Sequence, residues 1–380
     1  MTLAQPLNAT ETNTPLVLDP AALTPAQRDA WQALADEAVD PNPFFSPSFV
    51  QALLPDMAPA GTRLFIATDA EDRWLMAAPA APRKLGLALK SLTGLATEYG
   101  PCGTPLTSPV ATADTAATFL QAIRQGAGSF SHLTLPYLPL ESRACQLLRQ
   151  APGWTLYTSL HQERACHASG EEGEAQFSAA FRGKRRKEFN RLLRRLGDLG
   201  SVKFDSYQGE DVLPHFEAYL QLEASGWKGH QGSALLSSAE TARFARTMVE
   251  NRTRTGGIRI DSISLDAKPL AMLVLLIERN AAFSWKIAYD EAFARFSPGA
   301  HLALFSFERN LANPLLTSAD SLAVPGHSMI DPLWRGRMAY AHAQLASSPL
   351  DRSFGKLLRI DQTLNRNLRS TAKRLLRRGA

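Results

Sequence analysis

Residues 285–304 read WKIAYDEAFARFSPGAHLAL, and this stretch decides the predicted fold. Aromatic and aliphatic residues alternate with other residues up to Tyr289, which predicts a β-strand that ends there. A short loop follows, and Ser297-Pro298-Gly299 is typical of a helix start, because Ser is a good N-cap and Pro suits the first turn. The stretch therefore predicts a strand, a loop and a helix in that order.

The start of the predicted helix also has the features of an anion site. Gly299 lets a ligand approach the backbone closely, and the free N–H groups of a first helical turn bind phosphates. Arg295 lies just upstream and adds a cation. We expect residues 297–300 to hold a pyrophosphate.

Outward from this stretch, the chain predicts a sheet. The run LAMLVLLI is apolar on both faces, so its strand should lie centrally with both faces covered. Around it we predict the strands Ile258–Leu265, Leu270–Ile277, Ala282–Tyr289 and Ser321–Val324, and the helices Phe177–Gly197, Val212–Ala224, Ser238–Asn251, Pro298–Ala312 and Leu333–Ala346.

The first half of the chain echoes this order of elements. It predicts the helices Pro25–Val39, Thr112–Gln125 and Glu141–Gln150, and the strands Arg63–Thr68, Trp74–Pro79, Ser131–Leu135 and Trp154–Leu160. The hairpin at 64–82 and the hairpin at 259–277 have the same pattern, which predicts two similar lobes. The sequence GEEGEA at 170–175 indicates a break, so we divide the chain into a disordered leader 1–20, a lobe 21–169, a lobe 170–346 and a basic helical tail 347–380.

Composition excludes several classes of protein. Hydrophobic residues make up 45% and charged residues 20% of the 380 residues, the mix of a globular protein. No apolar run is long enough for a membrane span and no signal peptide is visible, so we expect a cytoplasmic protein. Three cysteines without metal-type spacing argue against a metal or redox site. The motifs GxSxG, HExxH, GxxxxGK[ST] and strand-associated GxGxxG are absent.

Basic residues concentrate in two segments. The tail from 351 to 380 has nine basic and two acidic residues, and the helix near 182–195 carries eight basic ones. Leucines and phenylalanines at helical spacing accompany both sets, so each can be a docked amphipathic helix with a solvated charged face. The alternative is an anionic ligand, which can be membrane lipid, RNA or the phosphates of a cofactor.

Three groups of residues can carry chemistry. Lys286 lies in a predicted central strand that ends at Tyr289 and Asp290, where pockets open, although a solvated lysine and a capping aspartate explain them equally well. His327 can act as a base near neutral pH or be a plain loop histidine. Glu223 can be a base at the end of its helix. Further candidates for a pocket wall are Trp227, Asp331 and Trp334.

These pieces together resemble a known family. The segments RRKEFNRLLRRL, WKG, DAKP, KIAYDEAFARFSPG and PGHSMIDPLWRGR, in this order over about residues 170–345, resemble the GNAT-superfamily acyltransferase domain of the CelD/BcsL type. PNPFF near Phe44 and EYGP at 98–101 resemble the N-terminal lobe of the same proteins. That group is associated with cellulose and exopolysaccharide biosynthesis and is related to FemAB-type transferases.

The resemblance implies a mixed, mostly antiparallel sheet flanked by helices, an α+β fold with two GNAT-like lobes. It implies acetyl-CoA or acyl-CoA as co-substrate, no metal, and a small-molecule or saccharide acceptor. The donor site would comprise Ala288, near which a backbone N–H would polarise the thioester, with Arg295, Ser297, Pro298, Gly299 and Ala300. The catalytic set would be Glu223, His327 or Asp290 as base and Tyr289 as acid, and the acceptor would contact Trp227, Lys286, Asp331 and Trp334.

Three alternatives stay open at this point. One is a FemAB-type aminoacyl transferase whose basic helix touches tRNA, although nucleic acid is the less favoured partner. Another is a non-catalytic protein that keeps the fold. The third is a peripheral membrane contact through the basic C-terminal helix, which can accompany the acyltransferase activity.

Overall fold

The chain folds into one long mixed sheet with helices on both faces, as seen in a computed structural model. The structure describes residues 13–126, 128, 130 and 132–378, and the side chains of the last helix as far as residue 368 and at Thr371. Among these residues, no helix is both long and apolar enough to cross a lipid bilayer.

The strands and helices follow one another along the whole described chain. The strands are β1 (Thr14–Leu18), β2 (Arg63–Thr68), β3 (Trp74–Lys84), β4 (Lys90–Gly94), β5 (Leu106–Thr107), β6 (His132–Pro139), β7 (Thr155–Ala168), β8 (Val202–Tyr207), β9 (Ile258–Leu265), β10 (Lys268–Glu278), β11 (Ala281–Tyr289), β12 (Ser318–Asp320) and β13 (Gly336–Ala346). The helices are α1 (Pro25–Glu37), α2 (Pro47–Leu53), α3 (Ala113–Gly126), α4 (Arg143–Gln150), α5 (Gly170–Ala180), α6 (Gly183–Gly197), α7 (Val212–Ser225), α8 (Trp227–His230), α9 (Ala239–Arg254), α10 (Pro298–Leu311) and α11 (Pro349–Arg378).

The sheet runs in the order β1-β2-β3-β4-β6-β13-β7-β12-β11-β10-β9-β8, with β5 beside β3. Its pairs are antiparallel except β4 with β6 and β11 with β12. The predicted mixed, mostly antiparallel α+β fold is confirmed. Strand β10 lies between β9 and β11 and is almost wholly buried, as its apolar sequence predicts.

Each half of the chain repeats one arrangement, which confirms the two predicted lobes. Three antiparallel strands lead through a helix to a strand parallel to the third: β2, β3, β4, α3 and β6 in the first half, and β9, β10, β11, α10 and β12 in the second. The final strands are exchanged, because β13 pairs with β6 and β7 pairs with β12. This exchange joins both halves into one sheet, and the domain boundaries proposed above stay a prediction.

Three predicted elements are wrong. The predicted helix Leu333–Ala346 is largely strand β13, because pairing with β6 and β7 on both edges outweighs the helix propensity of its alanines. The predicted strand Ser321–Val324 is a loop, since Leu322 has a φ of 53° and β12 ends at Asp320. The predicted helix Phe177–Gly197 is two helices, α5 and α6, separated before Gly183, whose φ is 57°.

The predicted break at 170–175 is also wrong, because these residues form the first turns of α5. Part of the predicted disordered leader is ordered, since residues 14–18 form edge strand β1 against β2. Residues 1–12 of that leader lie outside the described residues. The start of α1 agrees with its sequence signal: Thr24 accepts the Gln27 amide and the Gln27 side chain accepts the Thr24 amide in return.

Candidate active site

Two parallel strands separate and open a cavity between them. Strands β11 and β12 pair only at residues 281–283 with 318–320. Beyond that point residues 284–289 line one side of a cavity of about 440 Å³ and residues 321–324 line the other, with Ala303 of α10 among the lining residues. Leu322 has a left-handed backbone conformation and ends β12 early. The turn that made the prediction of a strand at Ser321–Val324 wrong therefore helps to open this cavity.

The edge of β11 that faces the cavity can be identified from two hydrogen bonds. The amide of Asp290 donates to Leu270 of β10, so even-numbered residues at this end of β11 point their backbone groups toward β10. The Ile287 carbonyl instead accepts from Nζ of Lys228 at 2.8 Å, on the opposite edge. It follows that the Ile287 amide faces the cavity edge. The sequence predicted such a donor near Ala288, and alternation directs the Ala288 amide itself toward β10.

A buried ion pair lies against this edge. Glu223 Oε1 accepts from Lys228 Nζ at 2.9 Å and from the Tyr219 hydroxyl at 2.9 Å, and Oε2 accepts from the Leu235 amide at 2.8 Å. Burial raises the pKa of Glu223, but Lys228 and the hydrogen bonds outweigh burial and the net shift is downward. A carboxylate stabilised by these three partners is a poor proton acceptor. The geometry therefore favours a role for Glu223 as the anchor of Lys228 over its predicted role as the catalytic base.

Lys286 projects from the bulged part of β11, where two residues oppose Val274. Burial, with the charge of Lys228, lowers the pKa of Lys286. Its Nζ lies 5.0 Å from the centre of the Tyr99 ring, and among the described residues no carboxylate pairs with it. Tyr99 belongs to the first half of the chain, and its carbonyl accepts from Trp285 Nε1 at 2.7 Å. The first half of the chain therefore contacts two residues of this cavity's wall, Trp285 and Lys286, while the lining residues all belong to the second half.

A second cavity, of about 550 Å³, lies at the start of α10. Ser297, Pro298, Gly299 and Ala300 line it, as the sequence predicts for an anion site. The detail differs, because Ser297 has a φ of 52° and its side chain makes no cap hydrogen bond. The amides of Ala300 and His301 already donate to the Ser297 carbonyl. The donors at this turn that make no hydrogen bond to the described residues are consequently the Gly299 amide and the Ser297 hydroxyl.

The cation at this second cavity is not the predicted one. Arg295 stacks on Phe296 and lines a separate basic hollow with Arg191 and Arg195. Arg185 of α6 lines the cavity instead, held by hydrogen bonds from its Nη1 to the carbonyls of Ala180 and Pro332. The eight basic residues of this segment signalled a cationic helix, but spacing alone does not show which of them turns toward α10.

Four residues line both cavities, namely Trp227, Tyr289, His327 and Met329. The Met329 amide donates to His327 Nδ1 over a long 3.4 Å. In the neutral ring this contact favours the proton on Nε2. Tyr289 ends β11, as the sequence predicts, and its hydroxyl makes no hydrogen bond to the described residues. The three predicted residues Trp227, Tyr289 and His327 are thus brought together.

Asp290 and Asp331, which the sequence also predicted for the site, lie outside both cavities. Asp290 caps the 3-10 turn Glu291–Phe296 through the Ala292 amide and pairs with Lys268 at 2.8 Å, which lowers its pKa. Asp331 pairs with Arg337 at 3.6 Å and lines neither cavity. Trp334 is fully buried, donates to the Ala303 carbonyl at 3.3 Å and forms part of the first cavity's wall.

The described residues contain no cluster of three or more potential metal ligands. Among them, Cys102 and Cys145 are buried, Cys166 is half-buried, and burial raises the pKa of all three thiols. This arrangement favours neither a thiolate nucleophile nor a redox pair. The groups that the two cavities offer for chemistry include backbone amides, Lys286, Tyr289 and His327.

Comparison with known proteins agrees with this geometry. Residues 183–320 match the family model described as the acetyltransferase (GNAT) domain. FemX has the same fold over 89% of this chain and 99% of its own, with a TM-score of 0.57 at 8% identity. The C-terminal DUF2156 domain of an Agrobacterium fabrum protein matches over 89% and 96%, with a TM-score of 0.52 at 11% identity.

A conserved protein of unknown function from Bacteroides thetaiotaomicron VPI-5482 also matches, over 85% of this chain and 98% of its own, with a TM-score of 0.52 at 12% identity. No curated protein matches the chain. At these identities the structural likeness establishes the fold. Residues 183–320, the stretch that matches the acetyltransferase (GNAT) domain model, supply most of the lining of both cavities through their strands and helices.

Proposed function

We propose that the protein transfers an acyl group from acyl-CoA to an amine or hydroxyl acceptor. The observation that carries the proposal is the separation of β11 from β12, which opens a cavity beside a second one at the start of α10. The match of residues 183–320 to the acetyltransferase (GNAT) domain supports the same reaction class. The identity of the acceptor is part of this proposal only.

The residues present fit a long anionic donor. Ser297, the Gly299 amide and Arg185 would contact its diphosphate at the start of α10, where the helix dipole adds attraction. The apolar walls between β11 and residues 321–324 would enclose its thioester arm. The two cavities, about 550 and 440 Å³, share four lining residues and are of the size that binds ligands of this kind.

The chemistry we infer is direct transfer without a covalent intermediate on the protein. The acceptor nitrogen or oxygen attacks the thioester carbonyl, a new C–N or C–O bond forms, and the C–S bond breaks. The Ile287 amide, which faces the cavity edge, would donate to the carbonyl oxygen as negative charge develops there, and such a donor contributes about 2.7–4 kcal/mol. His327 would take the acceptor's proton on Nδ1, which makes only the long 3.4 Å contact with the Met329 amide, and such a base is worth about 10²–10⁴-fold. The Tyr289 hydroxyl would protonate the departing thiolate.

The resemblance to the CelD/BcsL type makes a saccharide or another envelope component our preferred acceptor, handled in the cytoplasm. Lys286 would form the acceptor's side of the cavity, where its contact with Tyr99 connects β11 to the first half of the chain. A partly desolvated ammonium favours hydroxyl-rich or anionic groups.

Isothermal titration with acetyl-CoA, palmitoyl-CoA and free adenosine tests the donor site directly. We expect both thioesters to bind and adenosine alone to bind at least about tenfold more weakly, because it lacks the diphosphate. Absence of binding by every thioester would reject the proposal and favour a non-catalytic protein that retains the fold.

Transfer of an aminoacyl group from tRNA is the second candidate, and one observation favours it. Arg191, Arg195 and Arg295 line one hollow with a single acidic residue, Asp198, which suits a phosphate backbone. A gel shift with total tRNA that weakens steeply between low and high salt, together with no affinity for acyl-CoA, would replace the first proposal with this one.

A further inference from the structure

We propose that helix α11 and the hairpin loop between β3 and β4 form a surface that binds the anionic face of a lipid bilayer. The proposal is independent of the acyltransferase reaction. It rests on an exposed apolar stripe, an apolar loop fixed beside it, and the placement of every acidic group of the tail inside the fold.

The stripe follows one side of α11. Leu357, Ile360, Leu364 and Leu368 are spaced three or four residues apart, as residues on one side of a helix are, and Leu350 precedes them by one heptad. Each is between 50% and 83% exposed. Isolated exposed leucines need no explanation, but five along one amphipathic helix form a surface that water solvates poorly.

The charge beside the stripe is positive because the two acidic residues of the tail make hydrogen bonds within the fold. Asp351 accepts the Ser348 amide at 3.1 Å near the start of the helix. Asp361 is buried and faces the hairpin. The basic side chains of Arg352, Lys356 and Arg366 are exposed, and the segment 351–380 carries nine basic residues against these two acids. The solvent-facing charge of the helix is therefore cationic.

The hairpin loop has the same chemistry. Residues 84–90 read KLGLALK, with exposed lysines at both ends and Leu87 45% exposed between them. Asp361 accepts the amides of Leu87, Ala88 and Leu89 at 3.0–3.1 Å, and a Cβ at Gly86 would collide with that carboxylate. The α11 carboxylate thus fixes the loop directly beside Ile360 of the stripe.

A bilayer with anionic headgroups is the occupant that matches both the exposed apolar side chains and the positive charge beside them. Apolar side chains on α11 and Leu87 would enter the acyl boundary, while the lysines and arginines beside them would contact the headgroups. Nucleic acid would use the cations and leave the stripe in water. A second copy of this chain would bring two cationic surfaces together, which charge opposes.

Flotation of the full chain with vesicles tests the proposal. We expect recovery with phosphatidylcholine vesicles that contain about 30% phosphatidylglycerol, and weak recovery with pure phosphatidylcholine. Ile360→Ser with Leu364→Ser should lower the partition coefficient about tenfold or more, as should Leu87→Ser with Leu89→Ser. Arg352→Gln with Lys356→Gln should remove most of the preference for anionic vesicles.

The matched control is Val110→Ser with Leu315→Ser, two exposed apolar residues, 57% and 74%, away from this surface. It should bind as the unsubstituted protein does, and unchanged circular dichroism and Tm would verify that each variant folds. Equal flotation of the stripe variant and the control would overturn the proposal, as would failure of the unsubstituted chain to float. A dimer in sedimentation that the stripe variant dissolves, without vesicle binding, would assign the surface to a second copy instead.

Discussion

Nζ of Lys228 lies 2.8 Å from the carbonyl oxygen of Ile287, at the edge of β11 that β12 no longer covers. A strand that loses its neighbour exposes unpaired carbonyls and amides. The lysine satisfies one of these carbonyls, and Glu223 fixes the lysine from the other side. The neighbouring Ile287 amide is left for a ligand, which is the basis of the donor geometry proposed above.

Lys228→Met should destabilise the protein and weaken catalysis together. It leaves the Glu223 carboxylate buried with the Tyr219 hydroxyl and the Leu235 amide but no cation, so we expect a loss of about 2–3 kcal/mol in the free energy of unfolding at pH 7. Urea titration measures this loss. Lys268→Met, which breaks the exposed pair with Asp290, is the control and should cost under about 1 kcal/mol.

The same pair of variants has a distinguishing pH dependence. Glu223 has a lowered folded pKa, so in the unsubstituted protein its contribution is present above the unfolded pKa of about 4.3 and is lost as pH falls through the folded pKa. Without Lys228 that pKa rises, and protonation relieves the buried charge. The difference in the free energy of unfolding between the unsubstituted protein and Lys228→Met should therefore narrow from pH 7 toward pH 4. A constant gap would show that Lys228 acts through packing alone.

Gly299 is the position where a side chain should block the donor. Its Cβ would lie 3.1 Å from the Met329 sulfur, a flexible group, so Gly299→Ala should fold and lose no more than about tenfold in acyl-CoA affinity. Gly299→Trp would fill the cavity at the start of α10 and should abolish binding while the fold persists. Calorimetry with acetyl-CoA measures both, and an unchanged affinity of the tryptophan variant would remove the donor site from α10.

Much of this site was predictable from local sequence, and the remainder depends on long-range pairing. The strand ending at Tyr289 and the Pro298 helix follow from alternation and turn chemistry, both local properties. The strand β13 was not predictable from its own residues, because the exchange with β7 decides it. Likewise, only the β10–β11 register shows that the Ile287 amide, not that of Ala288, faces the cavity.

The individual side chains also divide into those that local sequence predicts and those that depend on long-range contacts. Glu223 and Lys228 lie five residues apart in the sequence, but that spacing does not show that they pair. Asp290 follows a strand, and a capping role was an equal alternative from the start. The contact between Lys286 and Tyr99 joins residues from opposite halves of the chain, so local sequence does not predict it.

Lys286→Met should separate stability from activity. Burial lowers the pKa of Lys286, so its charged form is less stable in the folded protein than in water. Removal of the ammonium should raise the free energy of unfolding at pH 7 by up to about 1 kcal/mol, and this gain should vanish above about pH 10, where the unfolded lysine is also neutral. Lys203→Met, at an exposed position on β8, should show no such gain.

Activity should move in the opposite direction in this variant. If Lys286 contacts the acceptor, the KM for the acceptor should rise at least about tenfold while the affinity for acyl-CoA stays unchanged. Lys286→Arg keeps the charge and should recover part of the loss. Equal KM values for the methionine variant and the unsubstituted enzyme would assign Lys286 to the structure of the cavity wall.

His327→Gln should lower turnover at least about tenfold, because the side chain lines both cavities and we propose that it takes the acceptor's proton. A base works only when unprotonated, so the kcat of the unsubstituted enzyme should fall on the acid side of its pH profile, and this acid limb should disappear in the variant. His161→Gln, an exposed histidine on β7, is the control and should leave the profile intact. An acid limb that survives His327→Gln would exclude His327 as the base and leave Lys286, whose pKa is lowered, as the next group to test by the same measurement.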